Sequence, residues 1–475
     1  MTTDFPEISP SSPVAVIGAG PVGLAAAAHL AERALPFVVL EAGAGVGAAM
    51  HAWSHVRLFS PWRYNVDAAA ARRLAAGGWT APAGEDYPTG GEMVARYLEP
   101  LGRLPAIAVG LRLGARVTGI TRARRDKLKS DAGRTAAAFR VRLETAAGEE
   151  ELLAGAVIDT SGTWRTPNPL GAEGLPARGE KILSAHVRYG IPDVLRAERA
   201  RYAGRRVMVV GSGHSAFNVL VDLAQLAAEA PGTRVVWTLR RTEMDGVFGG
   251  GKNDRLAARG ELGAAVQRLL ASGRLTVEGG FAIEALRRAP KGIVAVAGGR
   301  QTVAVDELIA TTGFRPDFGF LSELQLAIDP AVESTPALAP LIDPNLHSCG
   351  TVRPHGHREL AHPERGFYIA GMKSYGRAPT FLMLTGYEQV RSIVAAIAGD
   401  LAAADAVRLE LPETGVCTLG AAKGESCCGA PGEKKPASPA KTGCCGGAPV
   451  ADATACCVAD ETAKAEGRAG CGCGG

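Results

Sequence analysis

Cysteine is nearly missing from the body of this chain of 475 residues: Cys349 stands alone before residue 417, and the other nine lie between Cys417 and Cys473. A secreted domain stapled by disulfides scatters cysteines through its core, so that class is excluded. Long apolar runs are missing too; none approaches the roughly 20 residues of a membrane span. The leader MTTDFPEISPSSP has no basic region and no apolar core, so no signal peptide is expected and the cytoplasm is the default compartment. Charge of one sign is lacking: the net charge is +4, too small to argue for nucleic acid. Aromatic residues stop at Tyr387. From Leu411 onward Gly, Ala, Lys, Pro, Ser and Cys dominate with no amphipathic period, so residues 411–475 are expected to be a disordered, Cys-rich tail unless a ligand organises them. What remains, 47% hydrophobic and 21% charged overall, suits a soluble globular protein of two or three domains.

The stretch VAVIGAGPVGL, residues 14–24, organises the rest. Val14 to Ile17 read as a short buried strand, Gly18, Gly20 and Gly23 follow in G-x-G-x-x-G spacing, and the Ala-rich run from Leu24 to Leu30 reads as a helix. In such a unit the first glycine makes the tight turn, the second lets backbone approach a pyrophosphate, and the third lets helix pack on strand. A second strand, Phe37 to Leu40, ends in Glu41, placed where a ribose hydroxyl needs a carboxylate. A related unit starts at Arg206. Val207 to Val210 lead into GSGHSA, with Gly211, Gly213 and Ser215, and with Ala216 where the third glycine would stand. Its second strand, Arg234 to Leu239, ends in Arg240 and Arg241 instead of an acid. Guanidiniums attract a 2′-phosphate that a carboxylate would repel, so this site is expected to take NADPH.

Between these units, residues 42–67 have no clear period and bring Trp53, Phe59, Trp62 and Tyr64 close together, as a wall over a ligand would. His51 and His55 read as ordinary loop histidines. Thr89 and Glu92 stand in capping-box spacing. Arg116 to Ile120 and Phe139 to Leu143 alternate as strands, and the basic segment 121–138 between them reads as a solvated hairpin tip. Glu151 to Thr160 reads as one further strand, residues 274–314 as RLTVE, IVAVAG and QTVAVDELIATTGF, and GFYIAG as a short strand before a helix from Phe381 to about Ala398.

Two dinucleotide units in one chain suggest a fixed flavin and an exchanging nicotinamide. With the segments DTSGTWRTPNP and ELIATTGFRPD, the chain resembles two-dinucleotide flavoproteins over roughly residues 12–400, especially the flavin-containing monooxygenase class. The resemblance implies an α/β fold of two Rossmann-like domains, the NADP domain inserted into the FAD domain. The expected boundaries are FAD domain 1–163 and 313–410, NADP domain 164–312, tail 411–475. It implies FAD on Gly18, Gly20, Gly23 and Glu41, and NADPH on Gly211, Gly213, Arg240 and Arg241. The chain departs from the class twice. RGEKILSAHVRYG keeps His186 but not the phenylalanine and glycine of F-x-G-x-x-x-H, and the late Gly-Asp is Gly371-Met372-Lys373, where backbone would serve FAD and Lys373 would add a cation near the flavin. Pro379 and Thr380 would open a helix aimed at the flavin's pyrimidine end. The stretch from Gly371 to Val394, together with the tail, is similar to monooxygenase-like flavoproteins encoded beside arsenic-resistance genes in actinobacteria.

That resemblance implies hydride transfer from NADPH to FAD. A C4a-hydroperoxyflavin, formed with molecular oxygen, would then oxygenate a small molecule bearing a soft nucleophile such as sulfur, nitrogen or trivalent arsenic. Asn65 and Arg57 are the expected catalytic residues: Asn65 to donate to the flavin peroxide, Arg57 to face nicotinamide phosphate or substrate. An NADPH-dependent flavin or disulfide reductase is the second reading. It needs a redox thiol pair beside the flavin, which only the tail offers. A third reading makes the protein chiefly a metal or metalloid binder with a vestigial flavin fold. The tail pairs Cys427-Cys428, Cys444-Cys445, Cys456-Cys457 and Cys471-x-Cys473 are poor disulfides but soft ligands for a thiophilic ion, arsenite included.

Overall fold

The computed structural model describes residues 6–242, 247–248, 257–346, 352–379 and 381–409. All fall in the first of two compact units, which spans residues 1–421. The tail cysteines, Cys349 and Thr380 lie outside the described residues. Strands β1 (Val14–Ile17), β2 (Phe37–Leu40) and β3 (Leu111–Arg112) begin the first sheet. Strands β4 (Arg116–Arg122), β5 (Phe139–Thr145) and β6 (Gly148–Ala154) form an antiparallel sheet, after which β7 (Ala156–Asp159) rejoins the first. The second parallel sheet takes β8 (Val187–Tyr189), β9 (Arg206–Val210), β10 (Arg234–Thr238) and β11 (Thr276–Glu278). A small antiparallel sheet of β12 (Ala285–Ala289), β13 (Gly292–Ala297) and β14 (Arg300–Gln301) follows; then β15 (Glu307–Ala310) completes the second sheet and β16 (Phe367–Ile369) the first.

The strand orders are β16-β7-β1-β2-β3 and β11-β10-β9-β15-β8, parallel throughout. In each, the strand that carries a glycine loop lies centrally, with its successor on one side and a later strand on the other. That reversal is a switch point, where α/β sheets open a crevice at their carboxyl edge. The strands are apolar because both faces are covered. Val14, Val16 and Ile158 pack toward helices α1 (Pro21–Glu32) and, later in the chain, Met383–Ile397, while Ala15, Ile17 and Val157 pack toward the antiparallel sheet β4–β6. Across the second sheet Val207 and Val209 face α2 (His214–Glu229), while Met208 and Val210 face the small antiparallel sheet. The chain is thus an α/β protein of two Rossmann-like domains, with the second sheet's strands lying in sequence between β7 and β16. No described helix is long and apolar enough to cross a membrane.

Three expectations need correction. Residues 151–160 are not one strand: the chain breaks at Gly155, where a Cβ would stand 2.6 Å from Ile8 Cδ1, and β6 and β7 belong to different sheets. QTVAVDELIATTGF splits into β14 and β15, with Val305 between them exchanging backbone hydrogen bonds with Ile293. The basic segment 121–138 is not all solvated. Arg122 and Arg134 are 1% and 2% exposed and converge on Glu364, at 2.7 Å and 2.5 Å. Carbonyls of Ala137, Arg365, Asp126 and Glu323 accept from their Nη1 and Nη2 groups. Burial of these guanidiniums depends on that carboxylate and those carbonyls, none of which a local charge count can see.

Candidate functional site: two dinucleotide loops

The two glycine loops are built alike. Gly18 has φ +96°, and a Cβ there would come 3.0 Å from Thr160 O; Gly211 has φ +132°, with the corresponding approach 2.5 Å from Thr311 O. Both are turn positions that only glycine adopts without strain. Gly20 and Gly213 are extended, and a Cβ on either would meet nothing within 4 Å. At Gly23 a Cβ would lie 2.0 Å from Gly18 O, whereas the second loop accommodates the buried Ala216 at that place. Helices α1 and α2 start at Gly20 and Gly213 with no side-chain cap, which leaves first-turn N–H groups for an anion. An open glycine followed by an uncapped helix of 12 or 16 residues fits the pyrophosphate of a dinucleotide in both sheets.

Glu41 accepts from Ala19 N at 2.8 Å and Gly43 N at 2.7 Å, so the loop's own backbone holds the carboxylate at the end of β2. Two of its roughly four acceptor positions remain for hydroxyls. By the second sheet Arg240 is exposed and donates to Ala172 O at 3.2 Å, Arg241 is half-buried, and Ser215 sits in the first turn of α2. Two threonines brace these loops from neighbouring strands. Thr160 and Thr311 each donate a hydroxyl to the residue before the first glycine, Thr160 to Ile17 O at 2.7 Å and Thr311 to Val210 O at 2.8 Å. Their signal was present as the repeated strand-Thr-Ser/Thr-Gly of DTSG and ATTG.

The loop 42–67 meets the second dinucleotide loop. Phe59 lies with its ring 5.4 Å from that of His214, the first residue of α2. Burial lowers the His55 pKa, partly opposed by Asp193. Trp62 is instead core, 2% exposed. On α2, burial beside Asp193 pushes the Asp222 carboxyl up to about 6. Arg57 is exposed and donates to Tyr87 O. Asn65 is fully buried and committed: its amide donates to Ser60 O at 2.7 Å and Pro61 O at 3.0 Å, and its Oδ1 accepts from Ser60 Oγ at 2.9 Å. Both N–H groups close their own turn, so Asn65 shapes the wall and has no donor left to aim outward.

At the end of β16, Gly371 has φ +74° and faces Val22 of α1; Met372 is half-buried. Lys373 does supply a buried cation, but Asp159 Oδ2 neutralises it at 2.7 Å and the Phe320 ring covers it at 4.4 Å. Pro379 is exposed and does not open a helix. Helix α3 (Met383–Ile397) starts after Leu382, because the chain through Pro379 is still irregular. Among the described residues no group of three or more His, Cys, Asp and Glu could hold a metal ion.

Comparison with known proteins agrees with this architecture. The family model for pyridine nucleotide-disulphide oxidoreductases matches residues 15–342. No curated protein sequence matches the chain. Bacillithiol disulfide reductase from Bacillus cereus is similar in structure, with a TM-score of 0.58 and 20% identity over 82% of this chain and 99% of that one. A flavin monooxygenase from Stenotrophomonas maltophilia gives 0.53 and 24% over 82% and 98%. A cadaverine monooxygenase of desferrioxamine biosynthesis from Erwinia amylovora gives 0.57 and 15% over 87% and 99%. At these identities the likeness is one of fold. The chain belongs to the pyridine nucleotide-disulphide oxidoreductase family and is a flavin-dependent oxidoreductase that uses FAD and NAD(P)H.

Proposed function

We propose that the protein is an NADPH-using monooxygenase of small molecules with a soft nucleophilic atom, in which the first loop holds FAD and the second NADPH. The observation that carries oxygen chemistry over disulfide chemistry is the cysteine distribution. Thiol–disulfide exchange needs a thiolate in place beside the flavin, and residues 1–410 contain Cys349 alone. Bound on Gly18–Gly23 and Glu41, FAD would supply hydride acceptance and electron transfer to dioxygen, chemistry the side chains lack. The chain's own part is binding, orientation and dryness. Gly20 and Gly213 admit the pyrophosphates, Glu41 holds a ribose, Arg240 and Arg241 hold the 2′-phosphate, and Phe59 with His214 walls the crevice from water. The proposed domain boundaries near 163 and 312 are supported by the pairing of the crossing segments: Asn168 N donates to Gly313 O at 2.9 Å, and the Trp164 and Phe314 rings lie 4.7 Å apart.

NADPH consumption screened against thiols, amines, arsenite and methylarsenite, with peroxide measured alongside, tests the proposal. A true substrate accelerates NADPH loss and suppresses peroxide; equal peroxide with every candidate contradicts it. The nine clustered tail cysteines favour one second reading: a reductase in which tail thiols relay electrons, or capture a thiophilic ion such as arsenite. Oxygen-independent reduction of a disulfide by full-length protein, lost on truncation after Leu411, would select it.

A further inference from the structure

Gly371 is held by a closed circuit of buried polar groups. Its N–H donates to Gln389 Oε1 at 2.7 Å. A backbone N–H can only donate, so it fixes which end of the Gln389 amide faces it. The Gln389 NH₂ then points at His355 Nε2, 2.9 Å away, and at Ser374 Oγ, 2.9 Å away. Ser374 passes the circuit on, donating to Gly371 O at 2.8 Å. His355 Nε2 must therefore accept, and Nδ1 carries the hydrogen to Arg353 O at 3.1 Å. Gln389 is fully buried, and Ser374 and His355 are each 4% exposed. Both backbone groups of Gly371 are thus tied to one glutamine from α3. The clamped residue lies at the mouth of the first loop: a Cβ on Gly371 would stand 3.3 Å from Val22 Cγ2, between Gly20 and Gly23, and a Cβ on Gly386 would stand 2.6 Å from the same atom.

We propose that Gln389 is a positioning residue for the flavin: through Ser374 and His355 it holds Gly371 and the turn 371–376 against the loop that carries FAD. This rests on the reading of Gly18–Gly23 as the FAD site. Four groups surround His355: Arg353, Glu359 and Glu388 as charges and the Tyr375 ring at 5.6 Å.

The test titrates FAD onto apoprotein of the full chain and records the visible absorbance and circular dichroism of bound flavin. Gln389→Leu removes the acceptor of Gly371 N–H and should weaken FAD about tenfold or more, with an altered flavin spectrum. Gln389→Glu keeps shape and acceptor but sets a carboxylate against His355 Nε2, which draws a proton onto the imidazole and turns the Ser374 hydroxyl away from Gly371 O. Its flavin spectrum should then change with pH between about 5 and 8, where the wild type stays constant; this decides the matter should the leucine variant not fold. Wild-type affinity and a pH-independent spectrum in Gln389→Glu would overturn the proposal. Gly20→Val separates the two readings. If it still binds FAD, the site itself is misassigned; if it loses FAD while the Gln389 variants bind normally, only the positioning role falls.

Discussion

Glycine answers three different demands in the first loop and two in the second, where Ala216 takes the third place, and the demands predict different mutants. A side chain at Gly20 starts into open space in the free protein, because a Cβ there meets no neighbour within 4 Å. Gly20→Val should therefore fold with a normal melting temperature and emerge colourless. A yellow, fully loaded variant would contradict the assignment. At the other loop, Arg240→Ala with Arg241→Ala should lower the preference for NADPH over NADH about tenfold or more, since each charge-assisted contact contributes roughly 1.5–3 kcal/mol. An unchanged ratio of kcat/KM values would show that these cations do not meet the phosphate. Asp222 carries a pH prediction. Its carboxyl is raised from 3.8 to about 6 by burial, so the folded state prefers the neutral acid. Such a group costs nothing below the unfolded pKa and destabilises increasingly as pH rises through the folded one. Asp222→Asn should match wild type at pH 4 and be more stable at pH 8, by no more than about 3 kcal/mol. Melting temperatures that differ equally at both pH values would contradict that origin.

Among elements, the parallel strands and their glycine turns were legible because their signals are local: apolar runs of four or five residues followed by fixed glycine spacing. The capping box of Thr89 and Glu92 was legible for the same reason, and both of its hydrogen bonds form. What was not legible is long-range. Arg122 and Arg134 read as part of a solvated basic run, yet Glu364, more than 200 positions later, takes them into the core. Gln389 was invisible because a glutamine inside a helix gives no sign that its amide will clamp a distant turn. The arginine cluster ties β4 to the segment before β16, and it is sensitive to loss of one partner. Glu364→Leu leaves two buried guanidiniums without their counter-charge, and should destabilise by about 3–5 kcal/mol. Urea unfolding would reveal this as a lower midpoint with an unchanged slope; a loss under about 1 kcal/mol would mean that the carbonyls alone suffice.

For the molecule as a whole, the proposed reading places both nucleotide sites within residues 1–410 and gives residues 411–475 no part in flavin reduction. Truncation after Leu411 should leave FAD content and NADPH-driven flavin reduction unchanged, while removing most thiol-dependent arsenite uptake under reducing conditions. Equal uptake by the truncated and full-length proteins would dismiss the tail as a binding element. What separates a monooxygenase from a reductase is where the electrons go after the flavin. Turnover with NADPH and the substrate that best suppresses peroxide, run under ¹⁸O₂, tests this directly by mass spectrometry of the product. One ¹⁸O atom per NADPH consumed is the predicted result. An unlabelled, reduced product formed equally well without oxygen would contradict it and make the protein a reductase.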